Sequence, residues 1–157
     1  MLRKGRRMFI GWWSMSKDDL TLKSFVIIIA MTSIWINISE VFRYFVIVRP
    51  EMHNFLHMLP NVADMNWMIF ALWGIWDTVL SILVVFTFWL MAEKFGHNKR
   101  TALIAGTFSW FWLFFMFWFA LANMNLASWS FVPVPMVLSW IEMVVASFIA
   151  LWLCKRE

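Results

Sequence analysis

The chain has 157 residues, of which 63% are hydrophobic and only 14% are charged, whereas soluble domains carry roughly 25% charged residues. Its apolar runs are long enough to cross a hydrocarbon core of about 30 Å, which takes about 20 helical residues. These properties argue against a soluble protein. They predict an all-α integral membrane protein, and the net positive charge reflects basic residues at helix ends rather than a nucleic-acid-binding surface.

The first third of the chain predicts a basic lead, a spanning helix and a surface helix. Residues 1–23 carry six Lys or Arg residues and are expected at the cytoplasmic membrane surface. The first spanning helix is predicted over 24–48. Pro50 suits the first turn of another helix, and apolar residues spaced i, i+3, i+4, i+7 follow from Met52 until Pro60. This pattern predicts a short interfacial helix in the first outer loop.

The remaining spanning helices are predicted over 66–92, 101–122 and 134–153, so that one transmembrane domain covers 24–154. The short turn before the third helix favours an antiparallel hairpin. Eleven Lys and Arg residues lie on the side of this turn and of the two termini, against two on the other side. The sequence therefore predicts a four-helix antiparallel bundle whose N-terminus and C-terminal residues 155–157 are cytoplasmic. The small, compact chain favours a bacterial inner (plasma) membrane.

Three acidic residues interrupt the predicted spans. Glu40, Asp77 and Glu142 lie on three different helices, roughly 12–17 Å below the outer surface at 1.5 Å per helical residue. A carboxylate at the centre of a membrane helix costs at least about 2.5–3.5 kcal/mol, so each needs a partner, a proton or a water-filled cavity. The sequence places the three in one layer but does not show whether they face each other.

The first helix indicates a direction for this layer. Ser33, Asn37, Glu40 and Tyr44 form one polar stripe, which should face protein or water rather than lipid. Arg43 stands three residues after Glu40 and can pair with it as a counter-charge. On the second helix, Trp73 shares a face with Asp77. We interpret these seven positions as candidate ligand-binding residues: Asn37, Glu40, Arg43, Tyr44, Trp73, Asp77 and Glu142.

Two interpretations of these residues stay open. In the first, the carboxyl groups and aromatic side chains line a cavity that could relay a proton, hold a cationic amine or bind a substrate hydroxyl. In the second, they join helices structurally: Glu40 pairs with Arg43, while Asp77 and Glu142 accept hydrogen bonds from Asn, Ser or Trp side chains. The aromatic run from Trp110 to Phe119 likewise suits either a flat apolar ligand or interfacial packing.

His53 and His57 stand four residues apart, a spacing that can place two imidazoles on one metal ion. An interfacial helix with polar histidines explains them equally, and no metal or other cofactor is predicted. No lysine or histidine lies within a predicted span, which argues against a retinal Schiff base or a buried bis-histidine haem. In architecture alone, four helices with buried acids, the chain is similar to sterol-isomerase-like bundles and small multidrug transporters.

The leading hypothesis is an intramembrane acidic and aromatic site for a lipophilic or amphipathic small ligand, with binding, transport and isomerisation unresolved and enzymatic activity not favoured. A non-enzymatic accessory subunit of a larger membrane complex is the first alternative, and a proton-coupled small transporter is the second. The expected partners are the lipid bilayer, a lipophilic small molecule, and either a second copy of the chain or a larger complex. No nucleic-acid partner is expected.

Overall fold

The computed structural model describes residues 22–59 and 65–155. All regular structure in these two ranges is helical. Four helices are long and apolar enough to cross a membrane, which supports an integral membrane protein: α1 (Leu22–Phe55), α2 (Trp67–Phe95), α3 (Lys99–Asn123) and α4 (Pro133–Cys154). The predictions made for residues 1–21, for the stop at Pro60 and for the last two residues lie outside the described ranges.

Capping residues explain where α2 and α3 begin and where α2 ends. The side chain of Asn66 accepts a hydrogen bond from the Ile69 amide at 3.0 Å, and Asn98 does the same for Thr101 at 3.0 Å. An Asn side chain at this position satisfies one of the unpaired amides of the first helical turn. Gly96 ends α2 with a φ of +83°, a left-handed conformation that glycine adopts without steric cost.

Helix α1 differs from its predicted form. Residues Arg49–Phe55 are α-helical, but they continue α1 directly through a π-helical turn at Tyr44–Val48 instead of starting a separate helix. Pro50 offers a physical reason, since it has no N–H to give to the carbonyl one turn earlier. In the wider π-turn, the Arg49 amide bonds to the Tyr44 carbonyl five residues back. The predicted interfacial helix is therefore not present as a separate element.

A second π-helical turn, Phe111–Phe115, lies in the aromatic part of α3. The Met116 amide bonds to the Phe111 carbonyl, so this turn also contains one residue more than an α-helical turn. It shifts the side-chain register of the helix beyond it. In the observed register, Phe114 and Trp118 are buried, whereas Phe117 is half exposed.

Helices α3 and α4 are packed closely against each other at Gly106. Gly106 sits against α4 so tightly that a Cβ atom there would lie 2.7 Å from both the Met143 carbonyl oxygen and the Val144 Cα atom. Both neighbours are backbone atoms, which cannot rotate away. We call this contact the small-residue seam, because most of the buried residues around Gly106 and Met143 are small: Ala102, Ala105, Gly106, Ala146, Ser147 and Ala150.

The other helices are arranged around this seam. Helix α1 packs against α2 and α4, and α2 also contacts α3 and α4. Burial along α2 is uneven: its first buried residue is Asp77, and burial then continues through Leu80, Val84 and Phe88 to Ala92. The first ten residues of α2 therefore stand away from the core, and the space beside them forms the large cavity described below.

Candidate functional site

Arg43 lies at the centre of a buried ionic cluster. Its Nη1 atom donates to Glu142 Oε2 at 2.9 Å across to α4, and its Nη2 atom pairs with Glu40 Oε1 on the same helix. The exposed fractions of Glu40, Arg43 and Glu142 are 6%, 4% and 1%. The pair between Glu40 and Arg43 follows the predicted three-residue spacing, whereas the bond to Glu142 was not predicted.

Two further residues of α1 also bond to Glu142. Ser39 Oγ donates to Glu142 Oε2 at 2.7 Å, and the Trp35 indole donates to the Glu142 carbonyl oxygen at 3.1 Å. Trp35, Ser39 and Arg43 are spaced four residues apart, so they form one stripe directed at α4. This four-residue spacing is visible in the sequence, and it could have indicated that the three side chains face the same neighbouring helix. Glu142 thus has the interhelical bonds expected of the structural interpretation.

The predicted stripe of α1 is directed at α2. The Asn37 side chain donates to the Ser33 carbonyl at 2.8 Å, and its Oδ1 atom lies 4.0 Å from the position that a Cβ atom on Gly74 would take. The Tyr44 ring packs against Trp73 with centroids 5.2 Å apart. The structure therefore brings Asn37, Tyr44 and Trp73 to the same interface.

Asp77 lies at this interface and is 2% exposed. Its Oδ1 atom, like Glu142 Oε1, is buried without a hydrogen-bond partner among the described residues. Glu142 differs in that its other oxygen accepts bonds from Ser39 and Arg43. The nearby Ser81 hydroxyl donates to the Asp77 backbone carbonyl at 2.7 Å rather than to the carboxyl group. Asp77 borders a small chamber of about 30 Å³ that Asn37, Glu40 and Tyr44 also line. The structural interpretation predicted a hydrogen-bond donor for Asp77, and none reaches this oxygen.

A much larger cavity of about 510 Å³ lies between α1, α2 and α3. This volume falls within the range of roughly 300–1,000 Å³ that is typical of small-molecule sites. Both π-turns contribute to its wall, through Tyr44 and Val48 on one side and Leu113 and Phe114 on the other. The wall is mainly apolar and aromatic: Glu40, Arg43, Tyr44, Val48, Met52, Met65, Ile69, Leu72, Trp73, Trp76, Leu80, Leu113, Phe114, Phe117, Trp118 and Leu121.

Some of the side chains that line the large cavity are also exposed on the surface of the helices. Trp76 is 55% exposed and Phe117 is 53% exposed. These two side chains belong to α2 and α3, whose apolar surfaces would meet lipid in a membrane. The charged side chains of the wall are those of Glu40 and Arg43. The cavity therefore combines apolar, partly exposed side chains with one ionic region.

The predicted site residues thus divide between two spaces that share a wall. Glu40, Tyr44 and Trp73 border both the large cavity and the small chamber. Arg43 borders only the large cavity, Asn37 and Asp77 border only the chamber, and Glu142 borders neither. The three carboxyl groups do belong to one cluster, because Glu40 and Asp77 line the same chamber and Arg43 bridges Glu40 to Glu142.

The charge of this cluster is unbalanced. Three buried carboxyl groups face a single guanidinium group, and fully ionised they would leave a net negative charge in a medium of low dielectric constant. Because such a charge is costly to bury, it must be neutralised by protons or a bound cation, or be solvated by water. Phe114 adds a favourable contact from α3, since its ring centroid lies 4.8 Å from the Arg43 guanidinium carbon.

From the sequence, the aromatic run of α3 as a whole suited a flat apolar ligand, but which residues of the run line a cavity was not predicted. Leu113, Phe114, Phe117, Trp118 and Leu121 lie within or just after the aromatic run. Their membership depends on the π-turn, which rotates the later residues relative to an uninterrupted α-helix. No feature of the sequence alone marks that turn.

The two histidines lie near the end of α1, away from the ionic cluster in sequence. His57 Nδ1 lies 3.3 Å from the Asn54 carbonyl oxygen, and His53 is exposed. Within residues 22–59 and 65–155, no three His, Cys, Asp or Glu side chains are grouped closely enough to hold a metal ion.

No protein-family model, curated protein or solved structure matches the chain.

Proposed function

We propose that the large cavity binds a lipophilic or amphipathic small molecule that enters from the membrane. The observation that carries this proposal is the cavity of about 510 Å³, apolar and aromatic around most of its wall, with the Glu40–Arg43 pair on one side. A ligand pocket of this kind uses its apolar wall for affinity and its few polar groups for orientation. Binding without catalysis accounts for all of these features.

The position of the polar groups suggests how such a ligand would lie. Its apolar body would contact the partly exposed Trp76 and Phe117, and its polar end would reach Glu40, Arg43 and Tyr44. The Glu40–Arg43 pair offers both acceptor and donor atoms, so a hydroxyl, carbonyl or amine could be accommodated. The aromatic side chains add a surface that suits flat rings or a cationic group.

The proposal includes an arrangement in the membrane. The helices form an antiparallel bundle with both termini in the cytoplasm, in accordance with the distribution of Lys and Arg. The large cavity then lies towards the outer leaflet, and Arg49–Phe55 extends α1 to the outer interface, where the predicted surface helix was expected. A bacterial inner membrane suits the size of the chain.

Photolabelling of the full chain in lipid nanodiscs tests the proposal. The probe is a diazirine-bearing long-chain alcohol, a neutral amphipathic molecule, and the labelled residues are mapped by mass spectrometry. We expect saturable labelling of cavity residues such as Met52 and Leu113, displaced by excess unlabelled alcohol. Leu121→Trp, which fills part of the cavity, should reduce this labelling at least about tenfold, as expected for a loss of about 1.4 kcal/mol of binding free energy.

The matched control is Leu103→Trp, the same substitution on the same helix at an exposed position that does not line the cavity. Its labelling should equal that of the unmodified chain. Labelling that is unsaturable, or equally affected by both substitutions, would show that the probe only samples lipid-facing surface. The proposal would then be rejected.

Two other functions use the same cavity. A partner helix could insert a side chain between α2 and α3, as expected for an accessory subunit of a larger membrane complex. Such a subunit would co-purify with its partner and lose assembly, rather than ligand labelling, when the cavity is filled.

A proton-coupled transporter would instead produce ligand flux across vesicles and require a homo-oligomer, because four helices enclose little volume.

A further inference from the structure

We infer that the small chamber beside Asp77 binds one small monovalent cation, either Na⁺ or a proton carried on its carboxyl oxygens. This site is distinct from the large cavity. Asp77 and Asn37 line the chamber but not the cavity, and the volume of about 30 Å³ is far too small for an organic ligand. It exceeds the roughly 10–15 Å³ that one water-sized species needs.

The chemistry of the chamber wall favours a cation. Asn37 uses its amide N–H group to donate to Ser33, both to the carbonyl at 2.8 Å and to the hydroxyl at 3.2 Å. Its Oδ1 atom therefore remains as the group that can face α2. Asp77 Oδ1 is buried without a hydrogen-bond partner, and Glu40 adds a second carboxyl group. These acceptor oxygens of Asn37, Glu40 and Asp77, in a wall that is otherwise mainly apolar and aromatic, are satisfied by a species that donates protons or carries positive charge.

The charged groups around Asp77 also favour a bound cation. The groups that act electrostatically on Asp77 are Glu40 and Arg43 of α1 and Glu142 of α4. On α3, the Phe114 ring contacts Arg43, and the residues that α3 contributes to the large cavity are uncharged. Since Arg43 is already shared between Glu40 and Glu142, it cannot also neutralise Asp77. One bound cation beside Asp77 would reduce the excess negative charge of the cluster.

The chamber and the large cavity share the side chains of Glu40, Tyr44 and Trp73. This common wall gives a route for coupling. A cation beside Asp77 would compete with Arg43 for the Glu40 carboxyl group and so change the polar region that a cavity ligand meets. The coupling rests on the proposed ligand site, whereas the cation site stands on the chamber alone.

Thermal unfolding of the purified full chain in detergent tests the cation site. The melting temperature is measured in sodium chloride and in choline chloride at equal ionic strength, at mildly alkaline and mildly acidic pH. If Na⁺ is the cation, we expect it to raise the melting temperature saturably by roughly 5 °C at mildly alkaline pH. If the proton is the cation, Na⁺ has no effect and acidification produces the increase.

Asp77→Asn should abolish whichever response is found, because the amide keeps the shape of the side chain and removes its charge. The matched control, Glu93→Gln, removes an exposed carboxyl group from the same helix and should respond like the unmodified chain. Asn37→Ala provides a second variant, which keeps all charges and should weaken the response. If Asp77→Asn does not fold, Asn37→Ala still tests whether the chamber binds the cation.

The inference is overturned if the unmodified chain responds to neither ion, or if Asp77→Asn and Asn37→Ala respond as it does. The measurement contains no lipophilic ligand, so it does not depend on the large cavity. Leu121→Trp should lose photolabelling and keep the ion response. Failure of the ligand site and failure of the cation site can therefore be distinguished.

Discussion

The small-residue seam between α3 and α4 brings two helix backbones into contact, whereas the region around Arg43 leaves a cavity of about 510 Å³ between α1, α2 and α3. In a membrane, lipid is as apolar as the protein surface, so close packing and interhelical polar bonds must hold helices together. The seam relies on close packing. The Arg43 region relies on buried charge and leaves space that packing would have filled.

This difference suggests a division of roles. The seam provides a rigid frame because its contacts involve backbone atoms that cannot adjust. The Arg43 cluster fixes α1 to α4 through Glu142, so the walls of the cavity are positioned even though they are not packed together. A site on rigid elements can hold a ligand in a defined orientation.

The largest effect is expected from Arg43→Met, which removes the only guanidinium group in the cluster. The substitution leaves Glu40 and Glu142 buried without their counter-charge, and breaking a buried ion pair in this way costs about 3–5 kcal/mol. Equilibrium unfolding in mixed micelles measures the loss. A double variant that adds Glu142→Gln should recover part of it, because one uncompensated carboxyl group is then removed.

The control for this prediction is Arg49→Met, on the same helix but only partly buried. It should change the free energy of unfolding by less than about 1 kcal/mol, as is usual for exposed charges. Equal effects at Arg43 and Arg49 would show that the ionic cluster does not hold the open region together.

Gly106→Ala tests the seam with a single methyl group. Its Cβ atom would lie 2.7 Å from two backbone atoms of α4, so the helices must separate. Overpacking of this kind costs typically about 1–3 kcal/mol. Gly74→Ala is the matched control in the open region, where the nearest atom outside its own helix, Asn37 Oδ1, lies 4.0 Å away.

We expect Gly74→Ala to be neutral or slightly stabilising, since alanine is favoured over glycine within a helix by about 1 kcal/mol. The two variants are compared by the midpoint of unfolding in the same detergent. If Gly106→Ala is as stable as Gly74→Ala, the seam is not closely packed, and the distinction between the two regions fails.

The four long apolar helices were predicted because hydrophobic length is a local property of the sequence. Asn66, Gly96 and Asn98 mark helix ends through their own side chains or backbone freedom, and the structure uses them in this way. The continuation of α1 past Pro50 was not predicted. It depends on a π-turn, which forms when packing makes a wider turn favourable and leaves no reliable signal in the local sequence.

For the candidate site residues, the sequence could predict shared helix faces but not the contacts between helices, for a similar reason. Residues spaced along one stripe, such as Asn37 and Tyr44, share a face of the helix wherever that helix packs. The contact between Arg43 and Glu142 joins residues that are 99 positions apart in the chain. It depends on how α1 and α4 are rotated against each other, which a single sequence without a packing partner does not specify.

The smallest effect, and the finest test of the comparison, is expected from Ser39→Ala. Ser39 donates to Glu142 Oε2 at 2.7 Å, while Glu142 Oε1 is already buried without a hydrogen-bond partner. An interhelical hydrogen bond in a membrane contributes about 0.6 kcal/mol on average and at most about 1.7 kcal/mol. We expect a value near the upper end, because Arg43 is the other donor to this oxygen and the second oxygen of the carboxyl group has no donor among the described residues.

Thr107→Val is the matched control beside the seam, where it removes the hydroxyl that accepts a bond of 3.1 Å from the Trp140 indole. Close packing of α3 on α4 should keep the helices in contact without this bond. The loss of unfolding free energy on Thr107→Val should therefore be near the average for an interhelical hydrogen bond. Double-mutant cycles in micelles compare the two. A larger loss for Thr107→Val than for Ser39→Ala would mean that polar bonds, not backbone packing, hold the seam, and that the two regions are stabilised in the same way.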